Sequence, residues 1–336
     1  MRVKALAFLA VGLLLGPGLQ AGPYDAIYAF GDSLSDVGNI FHVTKGVEPA
    51  APYVNGQFSN GPVWVQDLAA GLGVPALTPS LLGGTDYAYG GAQTGQTVFH
   101  TATPIDLTGT LGQISQFEAT HATADPHALY TIWIGSNDLI GAAESHASSS
   151  QIAMGIGEAV SNLDTAIGDL AAEGAKNFLI LTVPDLGKTP RAIAGGPTAQ
   201  AGASALAAAF NSTLINGSGP IPPLASVANG LNLHVFDTFS ALDAIIADPG
   251  AFGFTNVTSP CLVGEVNHAG GTPCASTEAG QNQYLFWDDI HPTAGGHAAI
   301  AAGALEAAAG APEPTTLALL SLGLAGLGLM RGRRKN

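Results

Sequence analysis

An apolar run gives way to small polar residues in AIYAFGDSLSDVGN, residues 26–39. Its first five residues have the length and composition of a buried strand, and the glycine, aspartate and serine that follow are typical of a strand exit. Ser33 stands where that strand would end. Two interpretations are open for it: a helix N-cap, a role that serine often fills, or a nucleophile that projects beyond the strand.

Strand-length apolar runs alternate with longer helical stretches between residues 22 and 310, with no internal repeat and no long linker. Such alternation indicates βαβ units in one domain, with a mostly parallel sheet and helices on both faces. The predicted strands are AIYAF, TDYAY, ALYTIWIG, NFLILTVP and LNLHVFD, and the predicted helices are VWVQDLAAGL, ISQFEATHA and residues 151–173, 199–214 and 293–309.

The ends of these strands deliver small and polar residues to one edge of the sheet, where ligands bind in folds of this class. Ester cleavage needs a nucleophile, a base, a group that orients the base, and donors for the oxyanion. Ser33 follows the first strand, Gly90 and Gly91 follow TDYAY, and Asn137 lies in GSND after the third. Turns are generally small and polar, so each exit alone is weak evidence.

A base and its orienting acid are candidates in YLFWDDIHPTAGGH, residues 284–297. Asp288 precedes His291 by three residues, a separation that lets a carboxylate fix the imidazole tautomer and favour its protonated form. Asp289 is a second candidate acid. His291 and the proline after it are also compatible with a plain helix start, and we expect His297, on the helix that follows, to be structural.

The four blocks FGDSLSDVGN, YAYGGA, GSND and DDIHPT, in this order, resemble the successive motifs of the GDSL or SGNH hydrolases. The resemblance covers about residues 26–309. It implies an α/β, three-layer flavodoxin-like SGNH hydrolase fold with a mostly parallel central sheet. It also implies a secreted serine esterase or lipase that hydrolyses carboxylic (acyl) esters through a Ser-His-Asp acyl-enzyme mechanism, without a metal or organic cofactor.

Carried over motif by motif, the resemblance implies catalytic roles for Ser33, Asp288 and His291. The D-x-x-H spacing of the family selects Asp288 over Asp289. The implied oxyanion donors are the backbone N–H groups of Ser33 and Gly91 and the side-chain amide of Asn137, with Gly90 as an alternative to Gly91. At position 86 the family often has asparagine, whereas this chain has Asp86.

The family includes lipases, phospholipases, thioesterases and carbohydrate deacetylases, so the implied substrate is a small-molecule or lipid ester. A carbohydrate O-acetyl esterase that acts on exopolysaccharide is the alternative within the same class. Because a fold does not fix a function, a non-catalytic surface or matrix protein on a hydrolase scaffold, or an anchored binding module, stays open as well. No obligate protein partner is evident from the sequence.

The first 21 residues, MRVKALAFLAVGLLLGPGLQA, have the basic, then apolar, then small-residue order of a secretory signal peptide. A buried first helix is the alternative. We therefore expect residues 1–21 to be a signal peptide and residues 22–310 to be the SGNH/GDSL hydrolase domain.

The last segment, residues 311–336, joins a Pro-Glu-Pro triplet to an uncharged stretch and a basic end. The uncharged stretch, residues 315–330, is short for a spanning helix. The three parts together resemble the bacterial PEP-CTERM sorting tail, although Ala311 stands where that family often has valine. The resemblance implies a short transmembrane segment, an exosortase-type sorting protease as partner, and export to the periplasm, outer surface or extracellular matrix with a transient anchor.

The body of the chain is strongly acidic. The whole chain has a formal net charge of −15, and six of its ten Lys and Arg residues stand in the two terminal segments. Nucleic acid and anionic membrane surfaces would repel such a body. We therefore expect no nucleic-acid partner and a solvated acidic surface.

Cys261 and Cys274 are the only cysteines, and both stand in PCLVGEVNHAGGTPCAS. In an exported protein an even pair that closes a short loop favours a disulfide. A metal site made by the two cysteines and His268 is the alternative, but its spacing matches no common zinc pattern.

Overall fold

The computed structural model describes residues 23–96, 109–145, 147–264 and 270–309. The predicted signal peptide (1–21) and sorting tail (311–336) lie outside the described residues, so the structure tests neither assignment and the signal peptide stays a prediction. Within the described residues, none of the helices is both long and apolar enough to cross a bilayer.

Four parallel strands form the central sheet, side by side in chain order and in continuous register. All four are short, and the first three are almost fully buried, as expected of strands covered on both faces. They are β1 (Ile27–Gly31), β2 (Leu129–Trp133), β3 (Asn177–Leu181) and β4 (Asn232–Phe236).

The predicted strand TDYAY is not a regular strand, yet it extends the sheet beyond β1. Ala29 N donates to Thr85 O over 3.0 Å, Tyr87 N to Ala29 O over 2.7 Å and Tyr89 N to Gly31 O over 3.1 Å. Residues 85–89 therefore lie on the side of β1 opposite β2. Counting this segment, the chain order across the sheet is 2-1-3-4-5, the flavodoxin-like order.

Helices cover both faces of this sheet, and the alternating side chains of each strand divide between two cores. In β1, Ile27 and Ala29 face one core while Phe30 faces the other. The helices are α1 (Asn39–Val43), α2 (Trp64–Leu72), α3 (Thr110–Thr120), α4 (Ser136–Glu144), α5 (Ser149–Glu173), α6 (Pro190–Ala194), α7 (Gly196–Asn216), α8 (Leu224–Val227), α9 (Thr238–Ala247), α10 (Glu278–Gln281) and α11 (Ala294–Ala308).

The first core lies under α3, α5 and α7, and the second lies under α2 and α11. The protein therefore has three layers, and the α/β fold class predicted from the sequence is confirmed.

Two small two-stranded sheets are formed by the chain segment just before the D-x-x-H motif. Strand β5 (Asn256–Pro260) pairs with β8 (Tyr284–Phe286), and β6 (Leu262–Val263) pairs with β7 (Thr272–Pro273) in a hairpin. A disulfide between Cys261 and Cys274, with an S–S distance of 2.01 Å, closes this hairpin. Both sulfurs are therefore taken up by the disulfide, and His268 of the alternative metal site lies outside the described residues.

The disulfide hairpin is bonded to the chain just before Asp288. Cys261 N donates to Phe286 O over 3.0 Å, and Leu262 N donates to Trp287 O over 2.6 Å. Cys261 is fully buried beside Trp287. The hairpin therefore supports the motif from its outer side.

We predict that the double variant Cys261→Ala/Cys274→Ala loses about 3 kcal/mol of unfolding free energy, because the open loop regains entropy in the unfolded state. Urea denaturation under oxidising conditions measures the loss. Adding a thiol reductant is expected to destabilise the wild type and to leave the double variant unchanged. Equal urea midpoints for the two oxidised proteins would contradict the prediction.

Candidate active site

Ser33 lies in the turn that follows β1 and is largely buried. The N–H groups of Ser35 and Asp36 both donate to Asp32 O over 3.0 Å, which forms a tight turn around the serine. No helix of the described residues begins at Ser33, since α1 starts only at Asn39. The N-cap interpretation of Ser33 is therefore wrong.

The hydroxyl of Ser33 lies against His291, which is distant in sequence. Ser33 Oγ is 2.8 Å from His291 Nε2, and His291 Nδ1 is 2.6 Å from Asp288 Oδ2. The nucleophile, base and acid predicted from the sequence thus form a continuous hydrogen-bonded chain. This arrangement allows proton transfer from the hydroxyl to the imidazole.

Asp288 and His291 belong to one short turn between β8 and α11. Asp288 Oδ1 accepts the N–H groups of Ile290 over 2.9 Å and of His291 over 2.7 Å, and Trp287 N donates to His291 O over 2.7 Å. Helix α11 is capped by Thr293, so the helix starts after the motif and not at His291. The D-x-x-H spacing places both functional side chains on this turn.

The second candidate acid, Asp289, is bound elsewhere. Its carboxylate accepts from the Arg191 guanidinium, with Nε 2.8 Å from Oδ2 and Nη2 3.4 Å from Oδ1. Arg191 also lies 3.7 Å from Glu144. Since Asp288 alone bonds to the imidazole, the geometry agrees with the family spacing that selects it.

The pair of Asp288 and His291 is fully buried, and each group shifts the pKa of the other. Burial by itself raises the pKa of Asp288, but the charge of His291 and three hydrogen bonds, from the His291 ring, the His291 N–H and the Tyr53 hydroxyl, bring it below its usual range. Burial by itself lowers the pKa of His291, and the neighbouring Asp288 carboxylate more than offsets that effect. The site therefore favours the ion pair that a proton transfer from Ser33 would create.

Tyr53 is a partner of this pair that the sequence analysis did not identify. Its hydroxyl donates to Asp288 Oδ2 over 2.7 Å, the same oxygen that bonds to His291. Its ring packs edge-on against Trp287, with centroids 6.2 Å apart, and against Leu262 of the disulfide hairpin. No local pattern signals this contact, because Tyr53 stands on a loop and meets Asp288 across 235 residues.

We predict that Tyr53→Phe raises the pKa of His291, because the Asp288 carboxylate then keeps more of its charge for the imidazole. An NMR pH titration of the His291 ring measures the shift. The control is Tyr130→Phe, which also deletes a buried tyrosine hydroxyl, one that bonds to Asp125 O instead. An unchanged His291 titration in Tyr53→Phe would contradict the prediction.

Three hydrogen-bond donors are predicted for an oxyanion, and the structure gives the hydrogen bonds that each of them makes. Asn137 lies in the first turn of α4, and its Nδ2 donates one hydrogen to Ala92 O over 2.9 Å, which leaves the other free. The backbone N–H groups of Ser33 and Gly91 donate to none of the described residues. Gly90 N instead donates to Asp36 Oδ2 over 2.8 Å. The geometry therefore favours Gly91 over Gly90.

Gly91 has a φ of +78°, a backbone conformation that glycine adopts without steric cost. Behind it, two buried carboxyl groups brace the segment. Asp36 accepts Gly90 N, and Asp86 accepts Val37 N over 2.8 Å and Ala88 N over 3.2 Å. Within the described part of the chain no basic side chain pairs with either carboxyl group.

Burial and the neighbouring charge of Asp36 raise the pKa of Asp86 well above its usual range, and burial raises the pKa of Asp36 to about 6. The burial of Asp86 therefore favours its protonated, uncharged form. The asparagine that the family often has at this position is likewise uncharged.

We predict that the unfolding free energy of Asp86→Asn increases relative to that of the wild type as the pH rises from 5 to 8. The native pKa of Asp86 lies above its unfolded value, so the wild type loses stability as the pH climbs between them. Asparagine has no proton to lose. Urea midpoints at both pH values measure the change, and a pH-independent difference between the two proteins would contradict it.

His297 lies inside α11 and is fully buried, where desolvation lowers its pKa to about 3. Neither ring nitrogen has a hydrogen-bond partner among the described residues. The ring is therefore neutral, in keeping with the structural role expected of it. No group of three or more His, Cys, Asp or Glu that could hold a metal ion is found where the chain is described.

Two family models match this chain, and several known proteins are similar to it. Residues 27–304 match the family model described as GDSL-like Lipase/Acylhydrolase, and residues 311–335 match the PEP-CTERM protein-sorting motif. The thermolabile hemolysin of Vibrio parahaemolyticus is 28% identical over 86% of this chain and 65% of its own length. The phosphatidylcholine-sterol acyltransferase of Aeromonas hydrophila is 25% identical over 82% of this chain and 88% of its own length.

Among solved structures, the acetylxylan esterase Axe2 of Geobacillus stearothermophilus superposes with a TM-score of 0.45 at 13% sequence identity. That alignment covers 86% of this chain and 96% of the esterase.

Proposed function

The chain belongs to the GDSL-like lipase/acylhydrolase family, and from that premise we propose that it is an exported serine esterase that hydrolyses carboxylic esters through an acyl-enzyme. Family membership confirms the resemblance identified from the sequence and the enzyme class that goes with it, a hydrolase of ester bonds. The hydrogen-bonded chain from Ser33 through His291 to Asp288 is the observation that carries the proposed mechanism.

In the proposed acylation, Ser33 Oγ attacks the ester carbonyl carbon while His291 Nε2 takes the hydroxyl proton. The carbonyl oxygen becomes an oxyanion, which accepts hydrogen bonds from Ser33 N, Gly91 N and Asn137 Nδ2. Asp288 stabilises the imidazolium that forms. His291 then gives its proton to the leaving alcohol as the ester C–O bond breaks.

Deacylation repeats these steps with water as the nucleophile. His291 takes a proton from the water as its oxygen attacks the acyl carbon, and it returns that proton to Ser33 Oγ as the bond to the serine breaks. The acid leaves and the free enzyme is restored. The buried Tyr53 hydroxyl supports this cycle by holding the Asp288 oxygen that faces His291.

Acyl esters, including lipid esters, are the proposed substrates. The printed names of the relatives, a hemolysin and a phosphatidylcholine-sterol acyltransferase, support acyl-ester chemistry as the class. The aligned region covers 65% of the hemolysin's own length. The complete set of hydrogen-bonded groups argues against a non-catalytic scaffold, which would have no need of them.

Export followed by recognition of the tail by an exosortase-type protease is part of the proposal. The PEP-CTERM motif at residues 311–335 supports it.

We predict that Ser33→Ala abolishes turnover of p-nitrophenyl acetate, because no other group can form the acyl-enzyme. Asn137→Ala is expected to lose roughly 10²- to 10³-fold in kcat with little change in KM, because the amide hydrogen not bonded to Ala92 O would bond more strongly to the oxyanion than to the ester carbonyl. Steady-state kinetics measures both losses. Ser161→Ala, an exposed serine on α5, is the matched control. Normal turnover by pure Ser33→Ala protein would reject the nucleophile assignment.

A further inference from the structure

A small cavity opens beside Ser33 and is called the inner chamber here. Its volume is about 70 Å³. Ser33, Asn137 and His291 line it, and most of its remaining wall is apolar. Pockets that take drug-sized ligands begin at roughly 300 Å³, so this chamber has room for only a few non-hydrogen atoms.

The walls of the inner chamber are held in place from behind. Trp133 is buried, donates from Nε1 to Thr182 O over 2.9 Å, and packs edge-on against Trp64 with ring centroids 5.6 Å apart. Leu285 belongs to β8 and is buried in the core that includes Ile245 of α9. Because both walls are parts of packed cores, enlarging the chamber would cost packing contacts.

A second and much larger space adjoins the chamber and is called the outer groove here. Its volume is about 640 Å³, and helices α4, α6 and α7 line it. Small residues of α7 leave the room, chiefly Ala199, Gly202 and Ala203. Ile140, Leu186, Thr189 and Ile290 line both spaces, so the chamber and the groove adjoin across these four residues.

The outer groove has little means of binding an anionic group. Arg191 is the only basic residue among the described residues that line it, and the guanidinium is already paired with Asp289 over 2.8 Å and lies 3.7 Å from Glu144. The chain as a whole is acidic, with a formal net charge of −15. The groove therefore suits an uncharged, largely apolar ligand.

We propose that the inner chamber holds a short acyl group and the outer groove holds a bulky, uncharged alcohol portion, so that the preferred substrates are short-chain esters of large apolar alcohols. This inference rests on the proposed esterase function. Ile290, which lines both spaces, is adjacent to His291, the residue that must protonate the leaving alcohol. The leaving alcohol therefore forms beside the wall that the chamber shares with the groove.

The size preferences for the acyl portion and for the alcohol portion are tested with two separate series of esters. In the acyl series, p-nitrophenyl acetate, butyrate and octanoate share one leaving group. In the alcohol series, ethyl and octyl acetate share one acyl group and have leaving alcohols of similar acidity. We expect kcat/KM to fall on the order of 10- to 100-fold from butyrate to octanoate, since the chamber cannot take the longer chain, and to rise from ethyl to octyl acetate.

Two substitutions test whether the acyl preference arises in the inner chamber and the alcohol preference in the outer groove. Leu242→Ala widens the inner chamber and is expected to raise the octanoate-to-acetate ratio of kcat/KM. Ala203→Trp fills the outer groove and is expected to lower the octyl-to-ethyl acetate ratio about 10-fold. Ala205→Trp, an exposed position on the same helix, is the matched control and is expected to keep the wild-type ratio.

The results distinguish a failure of the proposed substrate preference from a failure of the proposed esterase function. Octanoate hydrolysed as fast as acetate, or Ala203→Trp with the same ester ratio as Ala205→Trp, would overturn the inference and leave the esterase function standing. Folded protein, verified by circular dichroism, that hydrolyses none of these esters would reject the proposed function and the inference with it.

Discussion

The buried hydrogen bond between Asp288 and His291 is the interaction on which the site depends. A carboxylate removed from water costs several kcal/mol unless its oxygens are satisfied. Asp288 is fully buried and accepts four hydrogen bonds, from the imidazole, from the Tyr53 hydroxyl and from two backbone N–H groups of its own turn. This set of donors keeps the carboxylate ionised in the interior, where its effect on the imidazole is strongest.

The rest of the fold delivers the remaining groups to that bond. In the flavodoxin-like order the chain leaves β1 toward residues 85–89 on one side, while β2 lies on the other, so a crevice opens beyond the ends of the two strands. Ser33 follows β1 and Asn137 follows β2 at this crevice. The turn with His291, 258 residues further along the chain, brings its imidazole to Ser33 and is held between α11 and the disulfide hairpin.

Much of this arrangement follows from local sequence. Strands β1 to β4 are predictable because each is a short, almost wholly apolar run, and Ser33, Asn137, Asp288 and His291 are predictable because each stands in a short motif. The segment TDYAY is one element whose conformation the local sequence does not predict correctly. Its composition predicts a strand, whereas in the structure it bonds to β1 without becoming a regular strand.

The contacts that the sequence does not reveal join residues far apart in the chain. Tyr53 meets Asp288, Arg191 pairs with Asp289, and Asp36 lies beside Asp86, with separations that no periodicity encodes. The pKa of Asp86, which stands where the family often has asparagine, depends on its burial and on the neighbouring Asp36. Both follow from tertiary packing, which the local sequence does not show.

The most direct test of the account is to treat the purified protein with a fluorophosphonate probe and to locate the label by peptide mass spectrometry. The probe phosphonylates serines whose hydroxyl is activated by a neighbouring base. The account predicts a single label, on Ser33, in the folded protein and no label after unfolding. A label on a different serine of the folded protein, or none at all, would contradict the assignment of Ser33 and His291 as nucleophile and base.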